Sequence, residues 1–299
     1  TKTVHLRTTD GFSRGGRLLV FDSGFDKTNI TINNYEIRPK GFGAPGQDDG
    51  SHVVFVENQF LQLTDSHVTI RNTRTIHQGT GTFGTVFIKG SLRATCDNIH
   101  FHFENYIVDQ KQLVGLPSSI PIISNGVEKS TLVSFSSSFG TVSNSTFSFV
   151  NSSFSSDAYV KSTLFDLRVV IGSTFFVDKA DINLTTSHPS AEEAVKLEDD
   201  DDKTLSSVVR FPAAAVENIN VTVVDSNIHA SAGYVTAFFD APLGTSNSTF
   251  TALRSTVYLE GTNVTKGISR FFDGQGNVED TVVRAIGCNV TVLSQQDTA

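Results

Sequence analysis

The sequence predicts an all-β chain wound as a right-handed parallel β-helix of about eight or more coils, and three observations predict it. A unit with a step of roughly thirty residues recurs eight times along the chain, and such a period marks a solenoid. Within each unit, apolar and polar residues alternate with the period of two that belongs to strands. The composition agrees: Gly, Ser, Thr and Asn are plentiful while Met and Trp are absent, which favours strands and turns over helices.

Each unit opens on a short apolar strand ending in Phe, at Phe21, Phe55, Phe87, Phe135, Phe165, Phe211, Phe238 and Phe271. The steps are 34, 32, 48, 30, 46, 27 and 33 residues, so two units carry insertions. A second strand follows, typified by Asn98-Ile99-His100-Phe101 and Asn247-Ser248-Thr249-Phe250. Its expected inward column is Ile32, Ile70, Phe101, Phe147, Phe175, Val221, Phe250 and Val282. The expected outward column is Thr31, Thr69, His100, Thr146, Thr174, Asn220, Thr249 and Thr281. After a polar turn, a third strand supplies the inward column Ile37, Ile76, Ile107, Phe154, Ile182, Ile228, Val257 and Val290. A β-sandwich also suits many short strands, but its hairpins do not place the same residue types in the same column eight times.

Residues 1–299 read as a single solenoid domain with insertions at 109–130 and 187–206. The first insertion holds Pro117 and Pro121, each of which removes a ladder donor. In the second, Ser190 and Glu193 fit a capping box for a helix of about two turns. The run Asp199 to Asp202 before Lys203 looks like an enteropeptidase site, but like charges at this density are expected of a solvated loop. Gly41 to Gly50 reads as a loop between coils.

This repeat grammar, over roughly residues 18 to 293, resembles the right-handed parallel β-helix superfamily with the pectate-lyase-like fold. More faintly, the Ser-Asn-Ile-Thr-Ile-like units are similar to those of the large surface β-helix glycoproteins of kinetoplastid parasites. The first resemblance implies polysaccharide chemistry by clustered Asp, or by carboxylate-bound Ca²⁺ with an Arg base.

Phe239-Asp240 and Phe272-Asp273 fall at matching positions of consecutive units, which would set two carboxylates about 5 Å apart, the spacing of retaining glycosidases. The simpler reading is that each Asp opens the turn after the first strand by bonding back to nearby backbone amides, and no residue is assigned a catalytic role. His100 and His102 alternate outward with Phe101 and Phe103 inward. With His67 expected near Asn98 and Arg71 near His102, no metal site and no cofactor is expected. The outward column next to the Thr column, Asn33, Arg71, His102, Ser148, Phe176, Thr222, Thr251 and Val283, is too mixed in size and charge to complete an ice-binding array.

A net charge of -8 opposes nucleic acid as a partner, and no apolar run is long enough to span a membrane. Cys96 and Cys288 are open to pairing, to an intermolecular bridge or to burial as small apolar residues. Eight of the 18 Asn begin Asn-X-Ser/Thr: Asn29, Asn144, Asn151, Asn183, Asn220, Asn247, Asn263 and Asn289. Read as N-glycosylation sites, they predict a secreted or cell-surface protein. Neither end carries an evident cap, since Thr3 to Arg7 and Asn289 to Leu293 both read as strands. Such ends fit either a segment cut from a longer solenoid or chains stacked head to tail, and the expected role is an extracellular structural or adhesive glycoprotein that self-associates head to tail. A polysaccharide-active enzyme is the alternative.

Overall fold

The structure is a computed structural model. It describes residues 2–7, 16–40, 50–57, 62–78, 81–111, 127–136, 139–158, 161–186, 205–212, 216–233, 235–262 and 268–294. Every element among them is a strand, and every strand pairing is parallel. The expected helix at 190–197, the acidic run 199–202, residues 41–49 and the centres of both insertions lie outside the described residues. The insertion bounds are narrower than expected, because Asp109 still belongs to Thr95–Lys111 and Val127–Phe135 already forms a strand.

One sheet contains eight strands in chain order: Arg17–Phe21, Ser51–Glu57, Gly81–Lys89, Val127–Phe135, Lys161–Asp166, Leu205–Arg210, Val235–Asp240 and Ile268–Asp273. Between consecutive members the chain crosses to a second parallel sheet and lays down equivalent strands there, such as Thr174–Asp178 and Asp181–Thr186. Each strand thus pairs with its counterpart in the repeat before and after, which is a solenoid-like arrangement.

Two corner residues per repeat make the turns in the second sheet. The first column is Lys27, Asp65, Asn98, Asn144, Gly172, Asn218, Asn247 and Asp280, and the second is Asn34, Asn72, Asn105, Asn151, Lys179, Asp225, Arg254 and Gly287. All have φ between 44° and 63°, the left-handed region that Asn, Asp and Gly enter at least cost. Half of these corner residues are Asn, so folding alone calls for Asn here. The next residue is often a buried Ser. The Ser145 hydroxyl donates to the Ser143 carbonyl and accepts the Ile99 N–H of the preceding repeat. Ser152 does the same between Val150 and Tyr106, and Ser248 between Ser246 and Ile219. These hydroxyls satisfy the backbone donors that the corner removes from the ladder.

The interior is a stack of apolar columns. One runs Ile30, Val68, Phe101, Phe147, Phe175, Val221, Phe250 and Val283, and its neighbour runs Ile32, Ile70, Phe103, Phe149, Val177, Val223, Ala252 and Ala285. The expected single column mixed these two. Ile32 and Ile70 do pair, but Ile70 meets Phe103 while Phe101 meets Val68. At the last repeat the slip is one residue, and Val283 replaces Val282. In the third strand, Thr75 and Val108 take the places expected for Ile76 and Ile107, and Ile107 is 44% exposed. The left-handed corner sets the phase, and where both neighbouring positions are apolar the pattern does not reveal it.

The expected Phe column divides as well. Phe165, Phe239 and Phe272 point inward, and Phe165 lies 5.8 Å from Phe147 and 5.6 Å from Phe175. Phe55 and Phe87 stack in a column one position on, and Phe21 belongs to a third. The inner strands of this sheet, such as Ser51–Glu57 and Leu205–Arg210, are buried on both faces, so Phe fits either and marks no phase.

Candidate functional site

The column of Phe55 and Phe87 continues along the eight-stranded sheet as Ser134, Asp166, Arg210, Asp240 and Asp273. It lies on the opposite face from the inward Phe165 and Phe239. Its aromatic half is stacked: His52 sits 4.8 Å from Phe87, and the Arg17 guanidinium lies 3.5 Å over the Phe55 ring. Its other half is a ladder of charges. The Lys161 ammonium donates to Asp166 Oδ2 at 2.6 Å, Arg210 Nε donates to Asp240 Oδ2 at 3.2 Å, and Arg210 Nη1 stands 3.8 Å from Asp166 Oδ1. Arg270 Nη1 donates to Asp273 Oδ1 at 2.6 Å, and Gln275 Nε2 donates to Asp273 Oδ2.

Asp240 and Asp273 therefore do occupy neighbouring strands at matching positions, as their shared Phe-Asp dipeptides suggested. They do not line an open cleft: both are 4% exposed and each is engaged by an arginine. Burial pushes the Asp240 carboxyl up to about 6, with Arg210 opposing the shift and Asp273 adding to it. Burial acts the same way on Asp166, but the charges of Lys161 and Arg210 outweigh it and hold that carboxyl below the usual range. Sequence reasoning missed Arg210 as the centre of the ladder. Arg210 stands in register with Asp166 and Asp240, a relation that the strand register carries and no local motif marks.

A buried titratable side chain also lies inside the solenoid-like interior. His77 is buried, stacks on Phe83 at 4.5 Å, and has no hydrogen-bond partner for either ring nitrogen among the described residues. Burial lowers it to about 3. As pH falls below ~6.5 the unfolded chain takes up a proton that folded His77 refuses, so stability is lost at about 1.4 kcal/mol per unit down to pH ~3. Asp240 has the opposite sign, because its folded value is raised: stability is gained by about the same slope as pH falls from ~6 to ~4. Their contributions are expected to cancel over that window. Urea titrations should show His77→Phe growing more stable, relative to the parent, as pH falls from 6 to 4, and Asp240→Asn growing less so. Parallel profiles for parent and variants would rule this out.

The sequon residues Asn29, Asn144, Asn151, Asn183, Asn220, Asn247 and Asn289 are exposed, while Asn263 lies outside the described residues. They do not form one column. Asn144, Asn151 and Asn247 are left-handed corner residues, whereas Asn29 pairs with His67 within a strand. The corner members also serve the fold: Asn144 Nδ2 donates to Asp97 Oδ1 at 2.8 Å, and Asn247 Nδ2 donates to Asn218 Oδ1. Recurrence of Asn-Ser at these corners thus has a folding reason independent of any glycan.

His100 and His102 face outward, but the register around them differs from expectation. His67 stands opposite His100 with the rings stacked at 4.6 Å, and Arg71 stands opposite Glu104. Burial and then the neighbouring His67 lower the proton affinity of His100. Cys96 and Cys288 are not paired with each other; Cys96 is buried, and burial pushes its thiol up to about 12. Among the described residues, no helix is long and apolar enough to cross a membrane, and no three His, Cys, Asp or Glu side chains are gathered as a preformed metal site. Comparison with protein-family models finds no match, and comparison with curated proteins finds none either.

Proposed function

We propose that the chain is a right-handed parallel β-helix of about eight coils or more that serves as an extracellular structural or adhesive glycoprotein, stacking end to end through its terminal coils. Right-handedness follows from the crossover that joins each pair of parallel strands. The single observation that carries the stacking is the last repeat. Val278, Val283, Val290 and Val292 continue interior columns whose previous members Thr245, Phe250, Val257 and Leu259 are buried, yet they are 37–43% exposed. The strands that bear them also present an edge that pairs with nothing further among the described residues. Open apolar columns ending in free strand edges suit a further coil of the same grammar. At the opposite end, Lys2–Arg7 pairs in parallel with Tyr35–Lys40, with Val4 in register with Ile37. In this proposal a second copy supplies that coil. The exposed sequons on the walls support a secreted or cell-surface glycoprotein whose sides are shielded and whose ends are adhesive.

A polysaccharide-active enzyme is the second reading, and Asp240 next to Asp273 is the observation in its favour. The burial of both carboxylates and their arginine partners weigh against it. Light scattering of the purified chain tests the stacking: mass should rise with protein concentration, and Val290→Asp with Val292→Asp should return it to that of one chain. A mass of one chain at every concentration would overturn the proposal. Unmodified peptides at Asn29, Asn183, Asn220 and Asn289 of the native protein would overturn its glycoprotein part.

A further inference from the structure

We propose that the first N-acetylglucosamine of a glycan on Asn183 docks on the outward ring pair His229 and Tyr258, and that a glycan on Asn29 docks in the same way on His67 and His100. The docking rests on the proposed glycoprotein role and distinguishes the glycans that the fold holds in place. Strand pairing sets Asn183 in register with His229, and His229 with Tyr258, on three successive strands, and the alternation turns all three outward. Nearer the N-terminus, Asn29, His67 and His100 repeat the arrangement on three successive strands. Both asparagines are exposed, and each stands one strand before its pair of rings.

Each ring pair leaves one face turned toward its asparagine. The His229 and Tyr258 rings lie 4.8 Å apart with 5° between their planes, and those of His67 and His100 lie 4.6 Å apart with 23° between them. Nearly parallel rings at this distance cannot lie side by side, so they stack face to face in the direction in which the strands succeed one another. The second ring covers one face of the first imidazole, and the other face looks toward the strand of the asparagine. Neighbouring strands are ~4.8 Å apart, close to the stacking distance, so a sugar borne by that asparagine falls in place as the third member of the stack. A pyranose presents C–H groups on its face, and these meet the negative face of the ring. The supporting ring is itself held, since the Tyr258 hydroxyl donates to Glu260 Oε2 at 3.4 Å. Rings already in position lower the cost of ordering the sugar. On the far side of Asn183 stands Ser155, small enough to leave room. Asn220 has no such platform, because Thr174 and Thr249 flank it.

The whole chain secreted from a eukaryotic host tests the docking. Glycopeptide mass spectrometry reads occupancy, and nuclear magnetic resonance of the chain trimmed to a single N-acetylglucosamine per site reads where the sugar lies. The sugar protons at Asn183 and Asn29 should be shifted upfield by ring currents relative to N-acetylglucosaminyl-asparagine in solution, while those at Asn220 should not. His229→Ala should abolish the shift at Asn183 and leave that at Asn29 alone, with an unchanged circular dichroism spectrum, and His67→Ala should do the converse. His229→Phe, which restores a ring, should keep the shift at Asn183. An unmodified Asn183 or Asn29 would overturn the glycoprotein role at that position and the docking with it. An occupied site at either position whose sugar protons match those of the free compound, or a shift at Asn183 that survives His229→Ala, would overturn the docking alone.

Discussion

Phe147→Ala should destabilise the chain by about 3–5 kcal/mol, the loss usual for a fully enclosed aromatic. The ring is sandwiched between Phe101 at 5.0 Å and Phe175 at 4.7 Å, and Phe165 meets it edge-on at 5.8 Å. All four are buried, and neighbours held by two hydrogen-bonded ladders cannot collapse into the space. Because each repeat touches only its neighbours, the cavity also weakens the coupling between the halves of the rod. Urea unfolding should therefore show a lower midpoint together with a broader transition. Phe176→Ala, one residue along the next strand and facing outward, should cost under about 0.5 kcal/mol. Equal losses at the two positions would mean that the alternation is out of phase.

Arg210→Leu should cost about 3–5 kcal/mol at pH 7, because the guanidinium is the shared partner of two buried carboxylates. Asp166 retains Lys161, so the larger part of the loss belongs to Asp240. That carboxyl is already raised by burial against the pull of Arg210, and without Arg210 it rises further. The penalty should accordingly shrink as pH falls from 7 to 5, where Asp240 takes up a proton and no longer presents a buried charge. Arg210→Leu combined with Asp240→Leu should recover much of the stability, since an apolar pair of similar size replaces the ion pair. A deficit independent of pH, or a double variant worse than the single, would contradict the ladder.

Much of the architecture was legible because the solenoid writes itself into the sequence as columns. The all-strand, solenoid-like character follows from the recurrence of one unit along the chain, and the outward direction of His100 and His102 from period two. What misled was phase. Asn29 and Asn98 look equivalent in their dipeptides, yet Lys27 makes the corner that Asn98 makes, so Asn29 lies two residues further along. A left-handed φ is carried by Lys27, Lys179 and Arg254 as well as by Asn and Gly, and nothing in those side chains announces it. The same slip hid the pairing of His67 with His100. Within the ladder, Asp240 and Asp273 were found through their identical dipeptides, whereas Arg210 shares no local motif with them and is related to them only by register.

Low-dose electron microscopy of the purified chain tests the claim of end-to-end stacking most directly. Eight rungs at ~4.8 Å give an axial contribution of ~38 Å per chain. Stacked chains should appear as unbranched rods whose lengths are multiples of about that value, with a ~4.8 Å axial reflection and no lateral bundling. Isolated particles of a single ~38 Å length at every concentration, or lateral sheets without axial growth, would contradict it.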